Sequence, residues 1–303
     1  MPASAPVALV TGASSGIGLA TAEHLAARGW RVFGTSRVPA AARQPAGAAL
    51  LALDVTDDAS AAACAAAVVA QAGRIDLLVN NAGVDLMGAL EECTLEEAHW
   101  IFETNYFGVV RMVNAVLPTM RAQGGGQIIN ISSALGRAAW PFNGHYCASK
   151  FALEGYTEAL CYEMNIHNIR VSSIQPGFFA TEIFARARHA GQPLPAYDGP
   201  RERALALSDA WAATAAPPDA VARMVGRIAG LRRPRLRYAV GPEAHLAPPI
   251  GQLTPLAVRF KVGRWLLGLD DPRADAARAA MGVGVLGAAG LAVRALLQRA
   301  RNR

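Results

Sequence analysis

Val7-Ala8-Leu9-Val10-Thr11-Gly12-Ala13-Ser14-Ser15-Gly16-Ile17-Gly18 is an apolar run that breaks into a glycine-rich turn, and an apolar-periodic stretch continues from Ile17 to Arg28. Four apolar residues before a turn suit a buried strand, and the periodic stretch suits an amphipathic helix. The segment therefore reads strand, glycine loop, helix. Glycines at 12, 16 and 18 let the backbone approach a bound pyrophosphate and pack the helix against the sheet. The helix start behind them offers free N–H groups and the positive end of a dipole. A glycine-rich turn alone says little; its place between a first strand and an amphipathic helix is what gives it weight.

The alternation continues outward. Arg31–Thr35, Leu50–Leu53, Ile75–Val79, Gln127–Ile131 and Arg170–Ile174 read as buried strands, with a last strand expected over Leu236–Val240. Helices are expected over Asp57–Ala72, about Glu103 to Arg121, about Gly144–His167 and Pro217–Gly230. Pro39 and Pro45 leave only a stub of helix between the second and third strands. Strands alternating with helices imply an α/β fold, a doubly wound parallel sheet covered on both faces. Residues 178–216 show no strand pattern and are punctuated by Gly191, Pro193, Pro195, Gly199 and Pro200, which marks them as a functional lid or a disordered loop.

The 303 residues suffice for one large domain, placed at residues 1–245, with a C-terminal extension over 246–303. The net charge of +6 is uneven: residues 1–230 carry 16 basic and 19 acidic side chains (−3), residues 231–303 carry 13 and 4 (+9). Positive charge confined to the tail suggests contact with an anionic surface there, or simply a solvated basic helix. It lacks any recognised nucleic-acid motif, so no nucleic-acid partner is expected. Cys64, Cys93, Cys147 and Cys161 show no CxxC pairing and read as reduced thiols of a cytoplasmic protein. The six histidines lack ligand spacing, so no metal site is expected, and MPASAP shows no signal peptide.

Tyr146 and Lys150 stand at i and i+4, on one face of the expected helix and close to its start. A lysine ammonium and a helix N-terminus both favour a phenolate, which is how a phenol is tuned for acid/base work. The chain has only two lysines, Lys150 and Lys261, against 27 arginines, so a lysine here is conspicuous. Ser133 lies at the end of a parallel strand, where a doubly wound sheet places its ligands. Its neighbour Ser132 would point the other way, and Cys147 should face away from Tyr146.

The glycine loop, Asn80-Asn81-Ala82-Gly83, Asn105, Ser133, Tyr146-Cys147-Ala148-Ser149-Lys150, and Pro176-Gly177 followed by Thr181 arrive in one order. In that order and spacing the chain resembles the short-chain dehydrogenases/reductases over roughly residues 6–240. Pro141–Gly155 and Pro234-Arg235-Leu236-Arg237-Tyr238 are further similar to the 17β-hydroxysteroid dehydrogenase-like branch. The resemblance implies a Rossmann-type domain and an NAD(P)-dependent oxidoreductase. Its catalytic set would be Asn105, Ser133, Tyr146 and Lys150, with Asn105 helping to hold Lys150 and a relay water. Its cofactor site would comprise Gly12, Ser14, Ser15, Gly16, Ile17, Gly18, Asp54 and Val55 near the adenine, Asn81, Ala82 and Gly83, Tyr146 and Lys150, and Pro176, Gly177 and Thr181. Asn81 and Thr181 match the positions near the nicotinamide.

After the second strand Thr35-Ser36-Arg37 offers no carboxylate for ribose hydroxyls, and Arg37 can pair with a phosphate. NADP(H) is therefore the expected cofactor, with NAD(H) second. Leu135, Trp140, Phe142, His145, Phe178 and Phe179 are the expected pocket lining, suited to a small lipophilic ketone, aldehyde or alcohol. In the tail, Leu256–Leu269 combines basic and aromatic residues, and Ala279–Val293 is uncharged but too short to span a bilayer. Peripheral membrane contact is the expectation for this tail. A homo-oligomer is left open. Two rival readings remain: a cofactor-binding regulator without catalysis, and a membrane-associated scaffold.

Overall fold

The computed structural model describes residues 5–245, 255–267 and 269. The chain begins with β1 (Val7–Val10), α1 (Gly16–Ala27), β2 (Arg31–Ser36), β3 (Ala48–Ala52), α2 (Asp58–Ala72) and β4 (Leu77–Asn80). Then come β5 (Leu86–Met87), α3 (Leu95–Phe102), α4 (Gly108–Ala122), β6 (Gly126–Ile131), α5 (Gly144–Met164) and β7 (Ile169–Pro176). The last are α6 (Glu182–Ala185), β8 (Arg188–His189), α7 (Asp198–Thr214), α8 (Asp219–Ala229), β9 (Arg237–Val240) and α9 (Leu256–Leu267).

Seven strands form one parallel sheet in the order β3-β2-β1-β4-β6-β7-β9. The chain winds outward from β1 to β3, then crosses back to lay β4 on the other side of β1. That reversal makes a crevice at the strands' C-terminal ends, where such sheets bind ligands. Both faces are covered. Leu9, Phe33, Leu78 and Ile128 meet Val68 of α2, Val113 of α4 and Leu153 of α5 on one side. Val10, Val32, Val79 and Ile129 meet Leu25 of α1 and Val225 of α8 on the other. Strands buried on both faces need continuous apolar runs, which is why they were legible in the sequence.

Two elements depart from the sequence reading. The helix expected from about Glu103 to Arg121 opens with one π-helical turn over Glu103–Phe107 and continues as α4, and helical structure begins earlier than expected, with α3. Thr94 starts α3 with a capping box, accepting from the Glu97 N–H while Glu97 reaches back to the Thr94 N–H. The second departure is the stretch 178–216, which is ordered. It carries α6, β8 and the 17-residue α7. Gly199 and Pro200 read as breakers, yet they fall in the first turn of α7, where proline needs no N–H partner.

This segment is tied to the body by buried glutamates. β8 pairs with β5, Leu86 opposite Arg188. Glu92, fully buried, accepts from the N–H groups of Ala89 and Leu194 and from Arg201. Glu97 accepts from the Gly191 N–H at 3.2 Å and faces Arg188 at 3.5 Å. Burial alone would raise both carboxyls, but the backbone N–H donors and the arginines outweigh it and hold both below the ordinary glutamate value. Groups with depressed folded pKa values stabilise fully above the unfolded value, ~4.3. That contribution is lost as pH falls through the folded values. The tie should therefore be constant from neutral pH down to about 5 and fail in acid. Glu92→Gln should cost about 2 kcal/mol, as expected for charge-assisted bonds, and lower the thermal midpoint by about 4 °C. An unchanged midpoint in calorimetry would show that Glu92 does not hold this segment.

Candidate active site

The C-terminal ends of the strands on either side of the crevice open on one cavity of ≈ 1720 Å³. A site for a single small ligand occupies about 300–1,000 Å³, so this one accommodates an extended ligand and a second molecule beside it.

The glycine loop forms one end. Gly12 and Gly16 take left-handed backbone, φ +65° and +51°. A Cβ on Gly18 would fall 2.2 Å from the Gly12 carbonyl oxygen, so only glycine lets α1 sit this close to the loop. Gly12, Ser14, Ser15, Gly16 and Ile17 line the cavity, while Gly18 lies behind them. Ser15 caps α1 without a side-chain hydrogen bond, so the first-turn N–H groups keep their capacity for an anion. The chemistry of this cradle fits a dinucleotide pyrophosphate. The Asn81 amide donates to the carbonyls of Thr11 at 2.9 Å and Gly12 at 3.1 Å. It thus holds the loop in shape. Thr181 packs on Gly16, whose Cβ would come within 3.2 Å of it.

At the adenine end, Asp54 accepts from the N–H and hydroxyl of Thr56 at 2.9 and 2.7 Å. These bonds hold its carboxyl below the usual range, against burial and with help from the Arg37 and Arg111 charges. Val55 stands beside it in the wall. Arg37 is exposed on the rim just past β2, with no ion pair to a described residue. Arg43, which sequence reasoning passed over, shares that rim and faces Glu23 at 3.8 Å.

Ser133, Tyr146 and Lys150 come together at the other end. Ser133 follows β6 and accepts from the Leu135 N–H at 3.1 Å. Lys150, one turn beyond Tyr146 in α5, donates to the Ile131 carbonyl at 3.1 Å, with Nζ 5.7 Å from the centre of the Tyr146 ring. Ala82, Gly83, Pro176 and Gly177 complete the wall. A Cβ on Gly83 would lie 3.3 Å from Asn105 Oδ1 and 3.7 Å from Lys150 Nζ, so glycine keeps this space clear. Asn105 is fully buried in the π turn, a device frequent at functional sites. It accepts from the Val84 N–H at 2.8 Å and donates to the Val84 carbonyl at 3.0 Å and Ser149 Oγ at 3.1 Å. It therefore lies behind the cavity wall, and the contact to Lys150 runs through its neighbours.

Burial changes the expected electrostatics. It is the largest influence on Tyr146 and raises its phenol well above the ordinary value. The Asp85 charge adds to this, and the Ser133 hydroxyl opposes it. Burial likewise pulls Lys150 down to about 8, with Asp85 and Glu154 partly opposing. Burial is the dominant influence on the phenol and favours its neutral, proton-donating form. The phenolate expected from the i, i+4 spacing is not favoured here.

Leu135, Trp140, Phe142, Phe178 and Phe179 line the cavity as expected; His145 does not. Cys147 is buried, with Sγ accepting from the Trp140 N–H at 3.4 Å, and is outside the cavity wall as expected. Ser132 also belongs to the cavity wall, but its Oγ is buried and has no hydrogen-bond partner. Phe142 holds φ +60°, a strained backbone for an aromatic residue. Sequence reasoning missed Trp211 and Phe184, whose rings lie 4.5 and 5.8 Å from Phe178. It also missed Asp85, a buried carboxylate in the wall. The signal was present as a lone Asp in an apolar run after Asn80-Asn81-Ala82-Gly83.

The tail helix α9 closes one side. Leu267, fully buried, packs with Ala204 and Leu207 of α7, and Arg203 Nε donates to its carbonyl at 2.9 Å. Val258, Phe260 and Val262 reach the cavity rim yet remain about half exposed. Leu267 is thus spent on docking and cannot serve as a membrane contact. Ala279–Val293 lies outside the described residues. No helix among the described residues is long and apolar enough to cross a membrane.

Residues 6–192 match the family model described as short chain dehydrogenase. A 3-ketodihydrosphingosine reductase of Bacteroides thetaiotaomicron is 46% identical over 175 residues, covering 58% of this chain and 64% of that protein. Retinol dehydrogenase 8 of Bos taurus is 36% identical over 249 residues, covering 76% of this chain and 79% of that one. Among solved structures, a short-chain dehydrogenase from Streptomyces avermitilis superposes with a TM-score of 0.74 at 34% identity, over 89% of this chain and 99% of that one. With the seven-stranded sheet, these matches place the chain in the short-chain dehydrogenase family of NAD(P)-dependent oxidoreductases acting on CH–OH groups.

Proposed function

We propose that this protein is an NADP(H)-dependent reductase of lipophilic ketones or aldehydes, able to run in the alcohol-oxidising direction, with Tyr146 as the general acid/base. The observation that carries the reading is one cavity in which a pyrophosphate cradle meets Ser133, Tyr146 and Lys150, and whose remaining wall is aromatic. The two relatives described above are named for a ketosphingosine and for retinol, both mostly hydrocarbon, in agreement with that wall.

When bound, the cofactor supplies or accepts the hydride at the carbonyl carbon. Ser133 holds the carbonyl oxygen with its hydroxyl. Tyr146, neutral in this cavity, gives its proton to that oxygen as negative charge develops there. Lys150 keeps positive charge beside the phenol and stabilises it once the proton has left. Asn105 fixes Val84 and Ser149, and so the floor beneath Lys150. Trp140, Phe178, Phe184 and Trp211 exclude water and bury the substrate's apolar part. Arg37 selects the phosphorylated cofactor through a charge-assisted pair. Loss of NADPH absorbance with hydrophobic ketones tests the reading, and cofactor binding without turnover of any of them would favour a regulator.

The body, residues 1–245, carries this chemistry, and the tail brings it to a membrane surface. Val258, Phe260 and Val262 are exposed beside the exposed Lys261, in a tail of charge +9. Each basic side chain near an anionic bilayer contributes about 1 kcal/mol at most, enough for reversible binding. A chain truncated before Leu256 should lose association with anionic liposomes, and salt should weaken binding of the full chain. Indifference of the full chain to anionic liposomes at low salt would confine the tail to docking on α7.

A further inference from the structure

We propose that Asp85 makes the substrate site selective for amino ketones, its carboxylate receiving a protonated amine borne on the carbon next to the reacting carbonyl. The inference rests on the carbonyl-reductase reading and deepens it.

Asp85 is held where it is from both sides. The preceding residue, Val84, is clamped through its N–H and its carbonyl by Asn105, at 2.8 and 3.0 Å. One carboxylate oxygen, Oδ1, accepts from the Leu86 N–H and from Asn143 Nδ2, each at 2.8 Å. Asn143 also donates to the Leu86 carbonyl at 3.1 Å, so the amide itself is fixed. The carboxylate is pre-set and cannot swing away to water.

The other oxygen, Oδ2, has no hydrogen-bond partner among the described residues. It is not one of the orphaned polar atoms sealed inside the protein, and Asp85 forms part of the cavity wall although only 3% exposed. The unfilled oxygen therefore opens on the cavity. Burial is the largest influence on Asp85 and raises its carboxyl above the ordinary aspartate value; the bonds from Asn143 and the Leu86 N–H and the nearby Lys150 and His189 side chains oppose it. An ammonium brought to Oδ2 would tip the balance to the carboxylate. Neither Lys150 nor His189 bonds to it, because Lys150 is turned to the Ile131 carbonyl.

A purely apolar substrate filling this cavity would strip the remaining water from Oδ2 and return nothing. A hydroxyl would return one hydrogen bond. An ammonium returns a charge-assisted bond and also the counter-charge that burial has removed. The group must sit close to the carbonyl, because Asp85 is bonded at 2.8 Å to Asn143, which caps α5 one turn before Tyr146.

The test uses three long-chain ketones that differ only at the carbon beside the carbonyl, which bears an ammonium, a hydroxyl or hydrogen. With the full-length enzyme and NADPH, kcat/KM should fall in that order, the amino ketone exceeding the plain ketone by about 10- to 100-fold. In Asp85→Asn, which keeps an acceptor for Leu86, the ratio of amino to plain ketone should drop to near one. Thermal unfolding and NADPH fluorescence would establish that the variant is folded. If it is not, the wild-type series decides the matter, together with competition by a long-chain primary amine against its N-acetyl derivative. Equal kcat/KM for amino and plain ketones in the wild type, or an unchanged ratio in a folded Asp85→Asn, would overturn the role of Asp85 and leave the reductase reading standing. Reduction of none of the three would overturn the reductase reading and this inference with it.

Discussion

Tyr146→Phe should leave a folded chain that binds NADPH with near wild-type affinity and reduces ketones at least ~100-fold more slowly. The substitution removes one oxygen at the point where Ser133 and Lys150 converge and leaves the ring that forms part of the cavity wall. In the proposed mechanism the phenol acts on the substrate and the cradle binds the cofactor, so kcat should fall while NADPH affinity stays. A variant that keeps more than about a tenth of the activity would remove Tyr146 from the acid/base role. The pH profile carries the same signature. Lys150, lowered to about 8 by burial, holds its charge below that value, so reduction should weaken as pH rises through about 8. Tyr146, raised by burial, stays protonated throughout this range.

Arg37→Asp should reverse cofactor choice. Arg37 stands exposed on the rim past β2, with no ion pair to a described residue to compete for it. Removing it deletes a charge-assisted bond to the 2′-phosphate, and the new carboxylate repels that phosphate while offering an acceptor for ribose hydroxyls. The two effects act in one direction, so the NADPH-to-NADH ratio of kcat/KM should fall by about 100-fold or more. Most of the change should appear in KM, because the rim lies at the end of the cavity away from Tyr146. An unchanged ratio would mean that Arg37 does not read the phosphate and that Arg43 is the residue to examine next.

The parts of the fold that could be read in advance were those that local chemistry dictates. Val7–Val10 had to be apolar throughout because both faces of the sheet are covered. Gly12, Gly16 and Gly18 had to be glycine because positive φ or close contact with the loop admits nothing larger. Tyr146 and Lys150 were visible as an i, i+4 pair because one helix carries both. What escaped was set by packing between distant segments. The helix α7 looked like a loop because Gly199 and Pro200 stand at its start, and its register comes from Ala204 and Leu207 meeting Leu267 of α9. Trp211 and Phe184 reach the cavity wall from a segment tied to Glu92 and Glu97, about a hundred residues earlier in the chain. The ionisation of the Tyr146–Lys150 pair also escaped, because spacing reveals the neighbour and burial decides the balance.

The most direct test of the account follows the hydride itself. Wild-type protein would be given NADPH carrying deuterium at both C4 positions of the nicotinamide, together with a long-chain ketone, and the alcohol examined by mass spectrometry. Hydride transfer from the cofactor predicts one deuterium at the carbinol carbon for each NADPH consumed. Alcohol formed without deuterium, or NADPH bound while no ketone in a hydrophobic series is reduced, would contradict it.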